Sequence, residues 1–281
     1  MSEVSNPKDK FADVPVRVRS WGYIVLVLAI AFVPQMTSWL FVCWLTFQGM
    51  REFVKMFVPN FSLALPFAIV IGLLQLILLT YCSYSGYLFW ATLLCLGIGL
   101  FFRLGRKTAT GAAIGMTFGA AACLLAFSQL AFIRAVEIDQ NEWMGLRLVA
   151  YIIVLTELND VFQYLMGKFF GKRKIVPRIS PNKTVVGCVG GIGLTIMLSN
   201  ILGYLLLPFG DFICFSLLGL LFGTLGFCGD VLFSFLKRRA GVKDTGTLIP
   251  GHGGLLDRID SLVFNAPVFY GLICLIEITN L

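Results

Sequence analysis

Long apolar runs constrain the fold of this chain more than any other feature of its sequence. Only 13% of its 281 residues are charged, whereas about a quarter would be charged in a soluble protein. Repeated apolar runs of roughly 20 residues are typical of transmembrane helices. The sequence therefore predicts an all-α, polytopic transmembrane protein, with apolar runs at about 21–33, 37–49, 62–82, 85–102, 109–133, 146–166, 184–207, 210–235 and 261–280.

The distribution of basic residues predicts about nine membrane spans. Pro34 separates the first two runs, which form either a hairpin or one long helix. With nine spans and a cytosolic N-terminus, every Lys and Arg except Arg134 and Arg147 lies on the cytosolic side, as the positive-inside rule requires. Eight spans would weaken this bias. We therefore expect a polar cytosolic N-terminus over 1–20, N-terminal transmembrane helices over 21–135, and a C-terminal transmembrane region over 136–281.

Polar connections at 51–55, about 167–183 and about 236–260 lie on the predicted cytosolic face. Because the topology places them on one side of the membrane, we expect the two long connections to meet. Basic residues in such loops orient helices and bind anionic headgroups or phosphates. The net charge of +7 therefore does not indicate a nucleic-acid partner.

Four acidic residues fall within the apolar runs, where a charge is costly and so indicates function. Glu157 and Asp160 are three residues apart and therefore share one face of a helix. Asp230 lies about two turns before Lys237, near the cytosolic surface, whereas Glu277 lies near the outer end of the last run, where water solvates it. The alternative is that these acids pair with basic residues and hold helices together.

The polar connection before the last run has the composition of a phosphate site. It contains basic residues, a Gly-rich turn and acids that open the final helix, namely Lys237, Arg238, Arg239, Lys243 and Asp244, then Pro250-Gly251-His252-Gly253-Gly254, then Asp257, Arg258 and Asp260. The backbone N–H groups of a Gly-rich turn can approach an anion closely. Carboxylates beside cations suit a Mg²⁺–polyphosphate complex. The basic run 237–239 taken alone would also serve as a positive-inside anchor.

Two sets of residues leave alternatives open. His252 is the only His, which excludes a His-based metal site, and it serves as a phosphate donor, an acid or base, or a structural hydrogen-bonding group. Ser180, Lys183 and Thr184 offer two hydroxyls and a cation to an anion, although Ser180 is also an ordinary helix N-cap residue.

A long ordered pattern of residues runs through 229–260. It comprises Gly229-Asp230, Ser234, Lys237-Arg238, Lys243-Asp244, Gly246, Ile249-Pro250, His252-Gly253-Gly254, Asp257-Arg258 and Asp260, and it is preceded by Asn159-Asp160, Gly167-Lys168, Gly171-Lys172, Ser180-Pro181 and Lys183-Thr184. This pattern resembles the signature of the phosphatidate cytidylyltransferases, or CDP-diacylglycerol synthases. The resemblance covers about 155–280, while the N-terminal third agrees only in being hydrophobic.

The resemblance implies a membrane enzyme that converts CTP and phosphatidic acid to CDP-diacylglycerol and pyrophosphate. It implies that Asp230 and Asp257 hold Mg²⁺, with K⁺ as a second ion, and that Lys237 and Asp160 complete the catalytic set. Substrate binding is implied for Ser180, Lys183, Thr184, Ser234, Arg238, Lys243, Asp244, His252, Gly253, Gly254, Arg258 and Asp260. The expected partners are CTP, phosphatidic acid and membrane lipids, and a homodimer is compatible with the resemblance. The active site is expected on the cytoplasmic side of the cell membrane.

Three places depart from the family pattern. Val185-Val186 stand where many members have an aromatic residue and then an acid or amide, Phe233 stands where an acid or small residue is common, and 161–163 lack small residues. These changes leave open a CTP-dependent transferase acting on another lipid phosphate or on an isoprenoid lipid. The rivals from other classes are an ion-coupled transporter, whose site would usually lie near the midplane between broken helices, and an inactive structural paralogue.

Overall fold

The computed structural model describes residue 27 and residues 30–138, 141–246, 248 and 253–279, without the side chains of 277–279. The predicted cytosolic N-terminus at 1–20, His252 and the side chain of Glu277 lie outside the described residues. Within these residues the chain is helical and forms no strand, and isolated β-bridges join Ile138 to Asn141 and Lys174 to Thr184. The all-α prediction is confirmed.

The helices after Pro34 are numbered here in chain order. They are α1 (Gln35–Phe57), α2 (Ala64–Tyr81), α3 (Tyr84–Gly105), α4 (Thr110–Arg134), α5 (Met144–Phe170), α6 (Val185–Leu206), α7 (Phe212–Arg239), α8 (Leu256–Ile259) and α9 (Leu262–Thr279). The end of α3 at Phe101–Gly105 and the middle of α4 at Ala121–Ala126 are wound as π-helix.

Six helices of the described residues, α2 to α7, are long and apolar enough to cross a membrane. The apolar part of α9, Leu262–Ile276, is shorter, and α1 is not among the six. The chain is a multi-pass membrane protein. The count of about nine spans is not confirmed and stays a prediction.

Helix α1 extends farther than its apolar residues indicated. It begins directly after the extended Pro34 and continues to Phe57, so Arg51 and Lys55 lie in its last turns. The predicted loop at 51–55 is therefore wrong. Charged residues end the apolar run there but not the helix, because Glu52 between them is buried by contacts with a distant part of the chain.

Other predicted boundaries need the same correction. Helix α5 continues to Phe170 and α7 to Arg239, so Lys168 and the basic run 237–239 lie in helices rather than in loops. Asp257 and Arg258 do not open the final helix but belong to the separate short helix α8. Basic residues are favourable in the last turn of a helix because they interact with its dipole, which explains why α5 and α7 continue through them.

Close packing of small residues holds α5, α6 and α7 together. A Cβ atom added to Gly191 of α6 would lie 2.9 Å from the backbone nitrogen and Cα of Gln163 in α5. A Cβ atom added to Gly219 of α7 would lie 2.7 Å from the Cα of Ile196 in α6. Small residues at such points let helix backbones approach within a membrane, and this approach sets where the polar ends of the three helices meet.

We expect Gly191→Ala to destabilise the protein by about 1–3 kcal/mol, because the added methyl group meets backbone that cannot rotate away. Gly193→Ala is the matched control on the same helix, because a Cβ atom there meets nothing within 4 Å in the described part of the chain. Thermal unfolding in detergent should show a lower midpoint for Gly191→Ala and an unchanged or higher one for Gly193→Ala. Equal midpoints in the two variants would contradict this packing.

The N-terminal helices pack against the end of α7 that carries the signature residues. The Phe233 ring lies 6.0 Å from that of Phe53 in α1 and 5.8 Å from that of Phe118 in α4, centroid to centroid. Phe233 is 1% exposed. Its departure from the family pattern therefore lies in a contact between helices and not in the polar site.

Candidate active site

The carboxylate of Asp257 accepts hydrogen bonds from several parts of the signature sequence. The part between α7 and α8, residues 240–255, is called the signature segment here. Its Oδ1 accepts a hydrogen bond from Lys237 Nζ at 2.6 Å. Its Oδ2 accepts hydrogen bonds from the backbone N–H groups of Thr245 at 2.8 Å and Gly254 at 2.9 Å, and it lies 3.1 Å from Thr245 Oγ1. One side chain of α8 thus connects the end of α7 to both ends of the segment between these helices.

The surroundings of Asp257 favour its ionised form. Burial alone would raise the pKa of this carboxyl group, but the charge and hydrogen bond of Lys237 and two backbone N–H donors lower the pKa below its ordinary value. Gly253 has φ +86°, and a Cβ atom there would lie 2.6 Å from Asp257 Oδ2. Glycine is therefore required at 253 both by the backbone conformation and by the space beside the carboxylate.

A second lysine–carboxylate pair joins the 171–184 connection to α7. Lys183 Nζ forms an ion pair with Asp230 Oδ2, and Ser234 Oγ lies 3.3 Å from Asp230 Oδ1. The connection folds back on itself, because the backbone N–H of Ile175 donates to the carbonyl of Lys183 at 3.0 Å. This pair brings the 171–184 connection to α7, and Lys183 also acts electrostatically on Asp260, at the end of the other long polar segment.

Electrostatic interactions hold Lys183 in its charged form. Burial would lower its pKa, but the negative charges of Asp230 and Asp160 outweigh this effect and raise the pKa above the ordinary lysine value. Lys183 Nζ also lies 3.5 Å from Gln163 Oε1 and 5.5 Å from the centre of the Phe227 ring.

Asp160 and Asp260 complete a group of acids beside these pairs. Ser261 Oγ lies 3.2 and 2.9 Å from the two carboxylate oxygens of Asp160 and 3.1 Å from the carbonyl of Gly226. Asp260 is buried, with 6% exposure. Its burial, followed by the charges of Asp230 and Asp160, raises its pKa well above the ordinary value, while Lys237 and Lys183 act in the opposite direction. Both lysines therefore influence the same acid.

A hard cation at this site would need ligands from a substrate as well as from the protein. Among the described residues, no group of three or more Asp, Glu, Cys or His side chains is arranged to ligate one ion. Mg²⁺ is usually bound by one or two carboxylates together with phosphate oxygens and water. Asp230 and Asp257, the predicted metal ligands, offer carboxylates of this kind, each next to a lysine.

The remaining predicted residues occupy different places around these pairs. Some hold the backbone: Thr184 is the N-cap of α6 and accepts from Gly187 N at 3.1 Å, while Arg238 donates to the carbonyl of Val242 at 3.1 Å. The N-cap interpretation of Ser180 is wrong, because Thr184 caps the helix.

The other predicted residues lie around the two pairs. Lys243 and Asp244 are exposed, and Gly253 and Gly254 line Asp257. Glu157 and Arg258 lie partly exposed next to the acids. Lys237, Asp257, Lys183, Asp230, Asp160 and Asp260 come together, and His252 lies outside the described residues.

Sequence reasoning missed Glu52. Its carboxylate accepts hydrogen bonds from the backbone N–H groups of Leu255 and Leu256 at 2.9 and 3.0 Å, more than 200 residues along the chain. The one signal in the sequence is an acid between Arg51 and Lys55, which is also the ordinary pattern of an exposed helix end.

Comparisons with known proteins agree with the chemistry of these residues. A family model described as the cytidylyltransferase family matches residues 16–276. The uncharacterized protein YnbB of Escherichia coli is 37% identical over 273 residues, which cover 94% of this chain and 88% of that protein. Phosphatidate cytidylyltransferases of Aquifex aeolicus and Bacillus subtilis are 46% and 42% identical over 117 and 141 residues. These matches cover 42% and 50% of this chain, and the chain spans about half the length of these two relatives, 43% and 52%.

Proposed function

The chain belongs to the cytidylyltransferase family, and from that premise we propose that it transfers the cytidylyl group of CTP to phosphatidic acid. The products are CDP-diacylglycerol and pyrophosphate. The observation that carries this proposal is the meeting of two lysine–carboxylate pairs, Lys183–Asp230 and Lys237–Asp257, beside Asp160 and Asp260. Phosphatidate cytidylyltransferases are among the relatives that match part of the chain.

The reaction requires positioning and charge neutralisation rather than a covalent enzyme intermediate. An oxygen of the lipid phosphate forms a bond to the α-phosphorus of CTP, and the bond between that phosphorus and the bridging oxygen of pyrophosphate breaks. Lys183 and Lys237 bind phosphate oxygens and neutralise the charge that spreads over them. Asp230 and Asp257 would hold Mg²⁺, which supplies further neutralisation of the polyphosphate when bound.

The placement of the lysines suits a substrate of which one part is a membrane lipid. Asp230 and Lys237 are separated by seven residues of α7, or about 10 Å along the helix axis. The Lys237–Asp257 pair lies next to the segment that carries the exposed residues Lys243 and Asp244. Asp230 and Asp160, in contrast, lie within membrane-spanning helices. CTP thus reaches the site from water and the lipid enters from the bilayer. The positive-inside distribution of Lys and Arg supports a site on the cytoplasmic face of the cell membrane.

Purified protein in detergent, given CTP labelled at the α-phosphate, Mg²⁺ and phosphatidic acid, is expected to form labelled CDP-diacylglycerol. Pyrophosphate should appear in equal amount. Chelation of Mg²⁺ should abolish both products, because two lysines cannot alone neutralise a triphosphate. Thin-layer chromatography of the lipid phase and a pyrophosphate assay measure the two products separately.

The controls of this experiment separate its parts. Folded protein that labels a different lipid phosphate but not phosphatidic acid would contradict the substrate and keep the cytidylyl transfer. Folded protein that turns over no CTP with any lipid phosphate would contradict the proposed function itself and favour the transporter or the inactive paralogue.

A further inference from the structure

Glu52 of α1 presents a buried carboxylate to the signature segment. The residue is 2% exposed. Its Oε1 accepts hydrogen bonds from the N–H of Leu255 at 2.9 Å and from Gln48 Nε2 at 2.9 Å. Its Oε2 accepts hydrogen bonds from the N–H of Leu256 at 3.0 Å and from Thr245 Oγ1 at 2.8 Å. Each carboxylate oxygen therefore accepts two hydrogen bonds.

The cost of burying this carboxylate makes its partners important. A buried charge without hydrogen-bond partners is strongly unfavourable. Three of the four donors belong to the segment between α7 and α8 or to the start of α8, and only Gln48 belongs to α1 itself. If the segment moves away, Glu52 loses three donors at once. The carboxylate therefore stabilises one arrangement of the segment over others.

Two glycines allow the segment to close around the carboxylate. A Cβ atom on Gly254 would lie 2.5 Å from Glu52 Oε2, and one on Gly246 would lie 3.3 Å from Oε1. Any larger residue at 254 would meet the carboxylate directly. Gly246 and Gly254 thus leave the space in which the segment packs against Glu52 of α1.

Thr245 connects Glu52 to the candidate active site. Its hydroxyl lies 2.8 Å from Glu52 Oε2 and 3.1 Å from Asp257 Oδ2, while its backbone N–H donates to the same Asp257 oxygen at 2.8 Å. Asp257 in turn accepts the hydrogen bond of Lys237. A displacement of the segment would therefore move the donors that orient Asp257.

We propose that Glu52 is a positioning residue, which fixes 245–246 and 253–256 in the arrangement where Asp257 holds Lys237. It does so from α1, in the N-terminal third of the chain. The expected effect on turnover rests on the proposed function, whereas the effect on the segment does not.

Glu52→Gln tests the proposal, since the glutamine NH₂ group would face N–H donors and could not accept from them. We expect kcat/KM for CTP to fall about 10–100-fold, as for other residues that orient the groups of a site. We also expect the amide hydrogens of Leu255 and Leu256 to exchange with solvent at least about tenfold faster, because the segment opens locally. Thr46→Val is the matched control on α1, because it removes the buried hydrogen bond from Thr46 Oγ1 to the carbonyl of Cys123 without touching the segment.

The two measurements distinguish failure of this proposal from failure of the proposed function. If the wild-type protein forms no labelled lipid, the proposed function fails, and hydrogen exchange still tests the positioning. Unchanged exchange of Leu255 and Leu256 in Glu52→Gln would overturn the proposal whatever the turnover. Equal losses in Glu52→Gln and Thr46→Val, in parallel with thermal stability, would also overturn it, since Glu52 would then contribute only to packing.

Discussion

Asp257→Asn is expected to lower CTP turnover by about 10²–10³-fold, the loss seen when a preorganised electrostatic partner is removed from an active site. The asparagine keeps the shape of Asp257 but presents an NH₂ group either to Lys237 or to the N–H groups of Thr245 and Gly254. It therefore releases the lysine or opens the segment. Turnover of labelled CTP, measured with phosphatidic acid and Mg²⁺, checks this result.

Stability must be measured in the same experiment. Breaking a buried ion pair by removing one partner costs about 3–5 kcal/mol, and Asp257 and Lys237 are largely buried, with side-chain exposures of 8% and 12%. A loss of folding could thus resemble a loss of catalysis. Turnover should therefore be expressed per folded molecule, from thermal unfolding or size-exclusion profiles.

Asp211→Asn is the matched control for Asp257→Asn. Asp211 is the N-cap of the same helix α7, at the other end, and its Oδ1 accepts from the N–H of Cys214 at 2.8 Å. Asparagine caps a helix as well as aspartate does, so this variant should retain turnover and stability. Turnover per folded molecule that is equal in Asp257→Asn and Asp211→Asn would contradict a role of Asp257 in the site.

Hydropathy was sufficient to predict an all-helical, multi-pass membrane protein, whereas the side of the membrane on which the polar segments lie stays a prediction. The contact of Lys183 with Asp230 fits this architecture. Lys183 lies just before the start of α6 and Asp230 towards the end of α7, and consecutive membrane helices bring such ends to the same side. The ends of the helices were less predictable. A run of lysines or arginines ends an apolar pattern in α5 and α7, but it does not end a helix whose final carbonyl groups it stabilises.

The role of Glu52 could not be predicted, because no local pattern contains it. Its partners Leu255 and Leu256 contribute backbone N–H groups, which leave no trace in the identity of the residues. Gly254 was predicted to belong to a flexible turn for an anion and Gly246 to the family signature, and in the structure both also leave room for the Glu52 carboxylate. A single sequence reports which residues suit a phosphate, but it does not report which distant helix holds them in place.

Lys183→Met and Asp230→Asn are each expected to lower turnover by about 10²–10³-fold, and their combination separates two explanations of the ion pair. Lys183→Met leaves Asp230 without its cation next to Asp160 and Asp260, and Asp230→Asn removes the ion-pair partner of Lys183, so each should also lower the thermal midpoint. In the double variant neither charge remains at this position, and replacing both members of a buried pair is often neutral for stability. The double variant should therefore regain stability relative to the single variants.

The turnover of the double variant distinguishes a catalytic role of the Lys183–Asp230 pair from a structural one. If Lys183 binds substrate phosphate and Asp230 supplies a metal ligand, the double variant stays inactive although it is stable. If the pair only holds the 171–184 connection against α7, turnover returns together with the thermal midpoint. Because the charges of Asp230 and Asp160 hold Lys183 protonated beside Asp260, we expect the first result: a stable double variant with turnover still reduced by about 10²-fold or more. Recovery of turnover to within about tenfold of the wild type would show that the pair is structural.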